Sequence, residues 1–354
     1  MLLALWEGDV KVNRKLIMDY SLDELRAILQ KAGFQGYRAK QIWDWMYGKF
    51  VGSFDEMANI PKTLREYLNK HFYLSPYEIV EASEGTDSIK YLLRSKIDDE
   101  LIEAVYMNFE GKDDTWHTAC ISVQVGCPVG CKFCQTGLSG FSRNLTAGEI
   151  IGQIWVFEHM KKEVDRIVFM GMGEPLLNFD NVYKAIKVFT DRKAFAMSPR
   201  RITLSTVGIL DGMERLLDSD LKVHLAVSVH APIHDLRQSL VPIEDANPID
   251  KVLDMAHRYA KDRGVRLTAE YVMLDGINDS LEHAEALARL LRGRVKRINL
   301  IPYNDTFAGF RKPPEEKILA FQNYLKDKGF IVTVRKSVGK DVDAACGMLR
   351  RRNL

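Results

Sequence analysis

From residue 116 onward the chain repeats one pattern. Short apolar runs of strand length, Cys120–Val125, Arg166–Met170, Arg201–Ser205, His224–Val229, Leu267–Val272 and Arg297–Ile301, alternate with longer stretches at helical spacing. Glu149–Met160, opened by Thr146, is one of the latter, with Ile249–Lys261 and Ser280–Leu291; Pro314–Lys328 and Phe330–Val334 add a further pair. Parallel strands need crossover connections, usually helical, so this alternation predicts parallel βα units. Six of them suit a partial (β/α) barrel or an open doubly wound sheet. In either, chemistry belongs at the C-terminal ends of the strands.

The residues ahead of that array follow other rules. Ser21 and Glu24 are spaced as a capping box, and Leu22, Leu25, Ile28 and Leu29 then recur at helical spacing. A second helix is expected over 38–50, with Ile42, Trp45 and Met46 on one face. Pro61 is placed to open a third that carries Leu64 and Leu68. Ile89–Leu93 and Leu101–Met107 read as a hairpin across Ile97-Asp98-Asp99-Glu100. The expected organisation is α/β: a small helical domain over 1–85, a linking hairpin over 86–115, the βα array over 116–335 and a C-terminal segment over 336–354.

No apolar run approaches the roughly 20 residues of a membrane span. The first residues carry neither the basic leader nor the apolar length of a signal peptide, so the expected location is cytoplasmic. A net charge of +2 decides little about partners. Basic clusters stand at Arg200-Arg201, Arg292 to Arg297, Arg335-Lys336 and Arg350-Arg351-Arg352, each of which on its own reads as solvated surface. Of five cysteines, Cys120, Cys127, Cys131 and Cys134 fall within fifteen residues and Cys346 lies near the end. An odd, clustered set points to metal or redox chemistry rather than a disulfide framework.

Cys127, Cys131 and Cys134 form C-x3-C-x2-C directly after the first run of the array. Three thiolates at that spacing can hold three irons of a cubane and leave the fourth open to chelate a small molecule. The competing reading is zinc, which asks for a fourth ligand to close a tetrahedron; His117 has no matching spacing. Gly171-Met172-Gly173-Glu174-Pro175 follows the second run. Its glycines let backbone approach a ligand, and its carboxylate can pair with an ammonium. Alone it reads equally well as a tight strand–helix turn.

Together these features resemble the radical-SAM superfamily, in which the cysteine motif follows the first barrel strand, an aromatic (here Phe133) precedes its last cysteine, and a Gly/Glu turn meets the amino group of S-adenosylmethionine (SAM). With Cys120 seven residues before Cys127, and Cys346 in Asp341-Val342-Asp343-Ala344-Ala345-Cys346-Gly347, the resemblance narrows to the RlmN/Cfr family of RNA methyltransferases. Gly137–Thr146, Arg200–Gly208, Ser228–Pro232 and Asn299–Asn304 carry it along roughly residues 20–350.

The resemblance implies a radical-SAM partial (β/α)6 barrel with a small N-terminal helical domain. It implies a [4Fe–4S] cluster on Cys127, Cys131 and Cys134, and two SAM molecules per turnover, with Gly173, Glu174, Ser205, Ser228, Val229, His230 and Asn304 as contacts. One SAM methylates Cys346. The second gives a radical that takes hydrogen from that methyl group, and the resulting carbon adds to an adenine. Glu103 removes the ring proton, and Cys120 forms a disulfide with Cys346 to release the product. Without the family, Glu103 reads as a strand carboxylate and Cys346 as a small hydrophobe. Gly339 and Gly347 suggest a mobile segment around Cys346.

The implied partners are ribosomal RNA, transfer RNA as a further substrate, and an electron donor such as flavodoxin or ferredoxin; a monomer is expected. The helical domain and the basic tail are expected RNA contacts, with recognition through shape and a flipped base. The family methylates carbon 2 or carbon 8 of one ribosomal adenosine. Gly171–Asn178 looks like the carbon-2 branch, Phe195–Arg201 and Asn278–Ala284 look closer to the carbon-8 branch, and Met348 stands where glutamine is usual. Carbon 2 is the preferred expectation, carbon 8 the alternative. A radical-SAM enzyme on a non-RNA substrate and a non-catalytic iron–sulfur RNA-binding protein are the competing classes.

Overall fold

The computed structural model describes residues 14–111, 114–304, 306, 308–335 and 338–349. Strand β1 (Lys15–Leu16) is followed by helices α1 (Leu22–Lys31), α2 (Arg38–Gly48) and α3 (Lys62–His71), and pairs in parallel with β2 (Phe72–Tyr73). Ser21 and Glu24 make the expected capping box, and Pro61 precedes α3. The apolar faces of these helices, including Leu25, Ile42, Trp43 and Leu68, join the same buried core as the rest of the chain.

Three antiparallel strands come next: β3 (Tyr77–Glu84), β4 (Ser88–Ser95) and β5 (Leu101–Glu110). The β4–β5 hairpin matches the sequence expectation. Strand β3 escaped it because most of its side chains are exposed and show no apolar alternation.

β6 (Thr115–Cys120) pairs antiparallel with β5 and parallel with β9 (Arg166–Phe169). Between them lie β7 (Gln124–Gly126), α4 (Gln135–Leu138), β8 (Phe141–Asn144) and α5 (Ala147–His159). The winding continues as α6 (Phe179–Thr190), β10 (Ile202–Thr206), α7 (Leu210–Asp218), β11 (His224–Ser228), α8 (His234–Leu240), α9 (Ile249–Arg263), β12 (Leu267–Met273), α10 (Leu281–Leu291), β13 (Arg297–Pro302), α11 (Glu315–Asp327) and β14 (Ile331–Val334). The parallel strands follow one another in the sheet in chain order, β6-β9-β10-β11-β12-β13-β14. A doubly wound sheet would reverse direction at a switch point. This sheet winds one way only, as a partial barrel does.

The expected first strand, Cys120–Val125, is corrected. The sheet strand ends at Cys120, and Gln124–Gly126 leaves to pair with β8 in a two-stranded flap. Ile121, Val123 and Val125 are apolar because they are buried beneath the following loops, whereas Trp116 and Thr118 face an open lumen and break the apolar alternation. Thr146 and Glu149 cap α5 reciprocally, as expected, in a motif whose cap is worth about 1 kcal/mol. The basic tail at 350–352, Lys336 and the first thirteen residues lie outside the described residues.

Candidate active site

One cavity of about 950 Å³ opens at the C-terminal ends of the parallel strands. The cysteine loop forms one wall. Gly126, which leads into it, has φ +77°, and a Cβ there would lie 1.9 Å from the Gly140 carbonyl oxygen, so only glycine fits. Cys127, Cys131 and Cys134 all line the cavity. Burial pushes the Cys127 thiol up to about 12 and raises the other two as well. Thiols so hard to ionise alone are suited to a strongly cationic iron centre, which draws the proton off. Among the described residues no three His, Cys, Asp or Glu side chains are grouped as a single metal ion would group them. A closed zinc tetrahedron asks for a fourth protein ligand, whereas three thiolates suit a cubane.

The second wall is the turn after β9. Gly173 has φ +99°, and a Cβ there would lie 2.6 Å from Gln124 Cβ, so the turn is pressed against β7. Glu174 is buried and is held by three donors: Leu176 N to Oε1 at 2.9 Å, Thr206 Oγ1 to Oε1 at 2.7 Å and Val207 N to Oε2 at 2.9 Å. Burial nevertheless pushes its carboxyl up to about 7. Two carboxylate oxygens offer about four acceptor sites, so room for another donor remains on Oε2.

Ser205, at the end of β10, and Ser228, at the end of β11, line the cavity, as does His230 with φ +60°. Burial, reinforced by Arg237, lowers the His230 imidazole to about 3, so it is neutral. Its Nδ1 accepts from Val272 N at 3.1 Å, which assigns the proton to Nε2. Beneath this loop the buried Arg237 donates from Nε to Val229 O at 3.0 Å and pairs with Glu244. The Val229 side chain is fully buried in the core and does not line the cavity. Asn304 lines it and donates from Nδ2 to Cys346 O at 3.1 Å.

Cys346 therefore reaches the same cavity as the three motif cysteines. Its segment, expected to be mobile, is hydrogen-bonded to the rest of the chain. Gln135 N donates to Gly347 O at 2.8 Å, Lys90 Nζ to Asp343 O at 3.3 Å, and Thr86 N to Asp341 Oδ2 at 2.8 Å. Cys120, at the end of β6, is not a lining residue, but its neighbours tie it to the site. Burial pushes its thiol up to about 12, the Cys346 charge raises it further, and the Arg335 guanidinium opposes both. Glu103 lies on β5, on the face it shares with Cys120 through the Val105–Cys120 pairing, and its Oε1 is 3.6 Å from Lys90 Nζ in a buried ion pair. Lys90 thus links the Glu103 carboxylate to the backbone just ahead of Cys346.

Sequence reasoning missed Arg335 and Glu270. Both line the cavity, and the Cys346 charge is the largest influence holding Arg335 protonated. The period of two was the available signal: Arg266, Thr268 and Glu270 lie on one face of the β12 segment, as Ile331, Thr333 and Arg335 do at β14.

Residues 121–291 match the model of the radical SAM superfamily, and residues 16–74 match the N-terminal domain of ribosomal RNA large subunit methyltransferases. A probable dual-specificity RNA methyltransferase RlmN of Thermotoga neapolitana is 42% identical over 95% of this chain and 97% of its own length. The dual-specificity RNA methyltransferase RlmN of Campylobacter lari is 42% identical over 96% of this chain and 98% of its own. The crystal structure of a radical SAM methyltransferase from Sphaerobacter thermophilus superimposes with a TM-score of 0.90 at 41% identity, covering 95% of this chain and 99% of that one. The cavity that gathers the three motif cysteines, the Gly173-Glu174 turn and Cys346 thus sits in a chain that belongs to the RlmN family of radical-SAM RNA methyltransferases, which work with a [4Fe–4S] cluster and SAM.

Proposed function

We propose that this enzyme methylates carbon 2 of an adenine in large-subunit ribosomal RNA, with a transfer RNA adenine as a second substrate. Cys346 is the methyl carrier. The observation that carries the reading is the convergence of Cys346 with the three motif cysteines in one cavity, with Cys120 electrostatically coupled to it.

Cys127, Cys131 and Cys134 hold the cluster. When bound, the cluster supplies one electron to SAM, whose cleavage yields a radical able to take hydrogen from a methyl group. The chain's own residues do the rest. A ring carbon of adenine is not nucleophilic, so ordinary displacement on SAM cannot place a methyl there; a thiolate can take the methyl instead, and Cys346 supplies it. Glu103 accepts the ring proton once the Cys346-borne carbon has joined the base, and the unpaired electron left on the adduct would return to the oxidised cluster that Cys127, Cys131 and Cys134 would hold. Cys120 then attacks the Cys346 sulfur: the S–S bond forms, the S–C bond breaks, and the released carbon takes the electron pair and a proton. Arg335 faces both sulfurs and stabilises whichever is anionic. Gly173, Ser205, Ser228, His230 and Asn304 position SAM, with Nε2–H of His230 as a donor, while Val229 contributes through its backbone only.

Mass spectrometry of ribosomal RNA incubated with the reduced enzyme tests the reading. The expected product is 2-methyladenosine. A methyl group on carbon 8 would move the enzyme to the other branch, and unmodified RNA would remove the proposal.

Glu174 is assigned to the ammonium of SAM. Only the carboxylate pairs with a cation, and in the empty site that form is lost as pH falls through about 7. SAM affinity should therefore be highest above that pH and drop about tenfold per unit below it, as one proton is released on binding. Calorimetric titration across pH checks this, and a flat profile from pH 6 to 8 would contradict the assignment.

A further inference from the structure

The lumen of the partial barrel has a second opening at the N-terminal ends of the strands. A basic residue stands at the start of five successive parallel strands: Arg166 on β9, Arg201 before β10, His224 on β11, Arg266 before β12 and Arg297 on β13. The four arginines are exposed, and all five residues line one cavity of about 1610 Å³. Arg200 adds a further guanidinium to the rim. Among the described residues, only Arg201 of this set has a carboxylate partner, Asp165 Oδ1 at 3.7 Å. Arg166 lies on the Trp116 ring at 4.6 Å. Burial, with the Arg266 and Arg200 charges, lowers the His224 imidazole to about 4. Uncompensated like charges repel, and an anion arriving at the rim relieves that repulsion.

Above the rim the lumen is polar and open. Thr118, Thr203, Thr268, Asn299 and Thr333 line the same cavity where a closed barrel packs bulky branched side chains. Met170, Glu270 and Arg335 line both this cavity and the one that holds Cys346. The two cavities thus meet at one partition. Glu270 there is buried, and its Oε2 has no hydrogen-bond partner. From Arg266 to Glu270 is four residues of strand, about 13 Å. That depth is on the scale of one extruded nucleotide and unsuited to a paired stem.

Resting on the RNA methyltransferase reading, we propose that RNA docks on the arginine rim at the N-terminal end of the barrel. An unpaired nucleotide is drawn into the threonine-lined lumen and approaches Cys346 from the side opposite the cysteine loop. The rim holds phosphates, and Glu270 offers a vacant acceptor to a donor on the incoming base.

The test combines charge reversal at the rim with a plug in the lumen. Binding of an RNA fragment that the wild-type enzyme methylates is measured against salt concentration for the double variant Arg266→Glu, Arg297→Glu. SAM affinity reports that each variant has folded. Loss of two phosphate contacts should weaken RNA binding tenfold or more and lower the slope of log K against log salt by about two. Arg289→Glu, on the exposed face of α10, should bind RNA as wild type does. Thr203→Trp should still dock RNA at the rim but methylate it at least a hundredfold more slowly. Wild-type affinity and salt slope in the double variant, or full methylation by Thr203→Trp, would overturn the docking proposal. Wild-type enzyme that neither binds nor methylates RNA would instead sink the substrate reading beneath it.

Discussion

Cys120→Ala is expected to leave the enzyme covalently joined to its RNA. In the proposed mechanism Cys120 enters the chemistry last, when the S–C bond between Cys346 and the modified base must break. Without its sulfur the earlier steps proceed and the adduct has no exit. Denaturing electrophoresis should show up to one RNA per chain, retained through heat and denaturant and released by digestion of either polymer. Turnover should fall by roughly three orders of magnitude or more, on the scale seen when a covalent-catalysis residue is removed. The fold should survive, because the change removes one sulfur at the end of a strand whose backbone pairing persists, at a cost of about 1 kcal/mol. Free RNA carrying its methyl group at the wild-type rate would show that Cys120 is a bystander.

Cys346→Ala should have the opposite signature: no methylation and no adduct. Nothing else near the Gly173-Glu174 turn offers a spare thiol, since the proposal assigns the other three cavity cysteines to the cluster. The segment is held through backbone carbonyls, by Asn304 to Cys346 O and by Gln135 to Gly347 O, and these survive removal of the sulfur. Iron content and SAM affinity should therefore remain while methylated RNA falls below detection, at least ~10⁴-fold. An enzyme that used Cys346 only as packing would keep its turnover.

Much of this was legible in the chain because the site is assembled from strand ends, where motif, spacing and period coincide. C-x3-C-x2-C and the Gly173-Glu174 turn each sit just past an apolar run, Ser205 and Ser228 came only with the family resemblance, and the capping boxes at Ser21 and Thr146 marked two helix starts. The misreadings share one cause: apolar periodicity reports burial and not strand identity. β6 turns Trp116 and Thr118 into the open lumen and so looked unlike a strand, while the buried loop Ile121–Val123 looked like one. The same open lumen hid Glu270 and Arg335, whose strand-face pattern is polar where a packed barrel would be aliphatic. Gly339 and Gly347 both have positive φ and shape turns in the segment that carries Cys346. Arg200 and Arg297, read singly as solvated surface, gain meaning only when the partial barrel brings them to one rim.

The central claim is that the methyl group passes through Cys346. The direct measurement is a single-turnover label chase. Enzyme is first exposed to SAM carrying a deuterated methyl group, freed of it, and then given RNA with unlabelled SAM under reducing, oxygen-free conditions. Mass spectrometry follows both the Cys346 peptide and the modified adenosine. The account predicts deuterium on Cys346 before RNA is added and in the first equivalent of product afterwards. Product that carries only unlabelled methyl, with the deuterium still on the protein or never there, would contradict it.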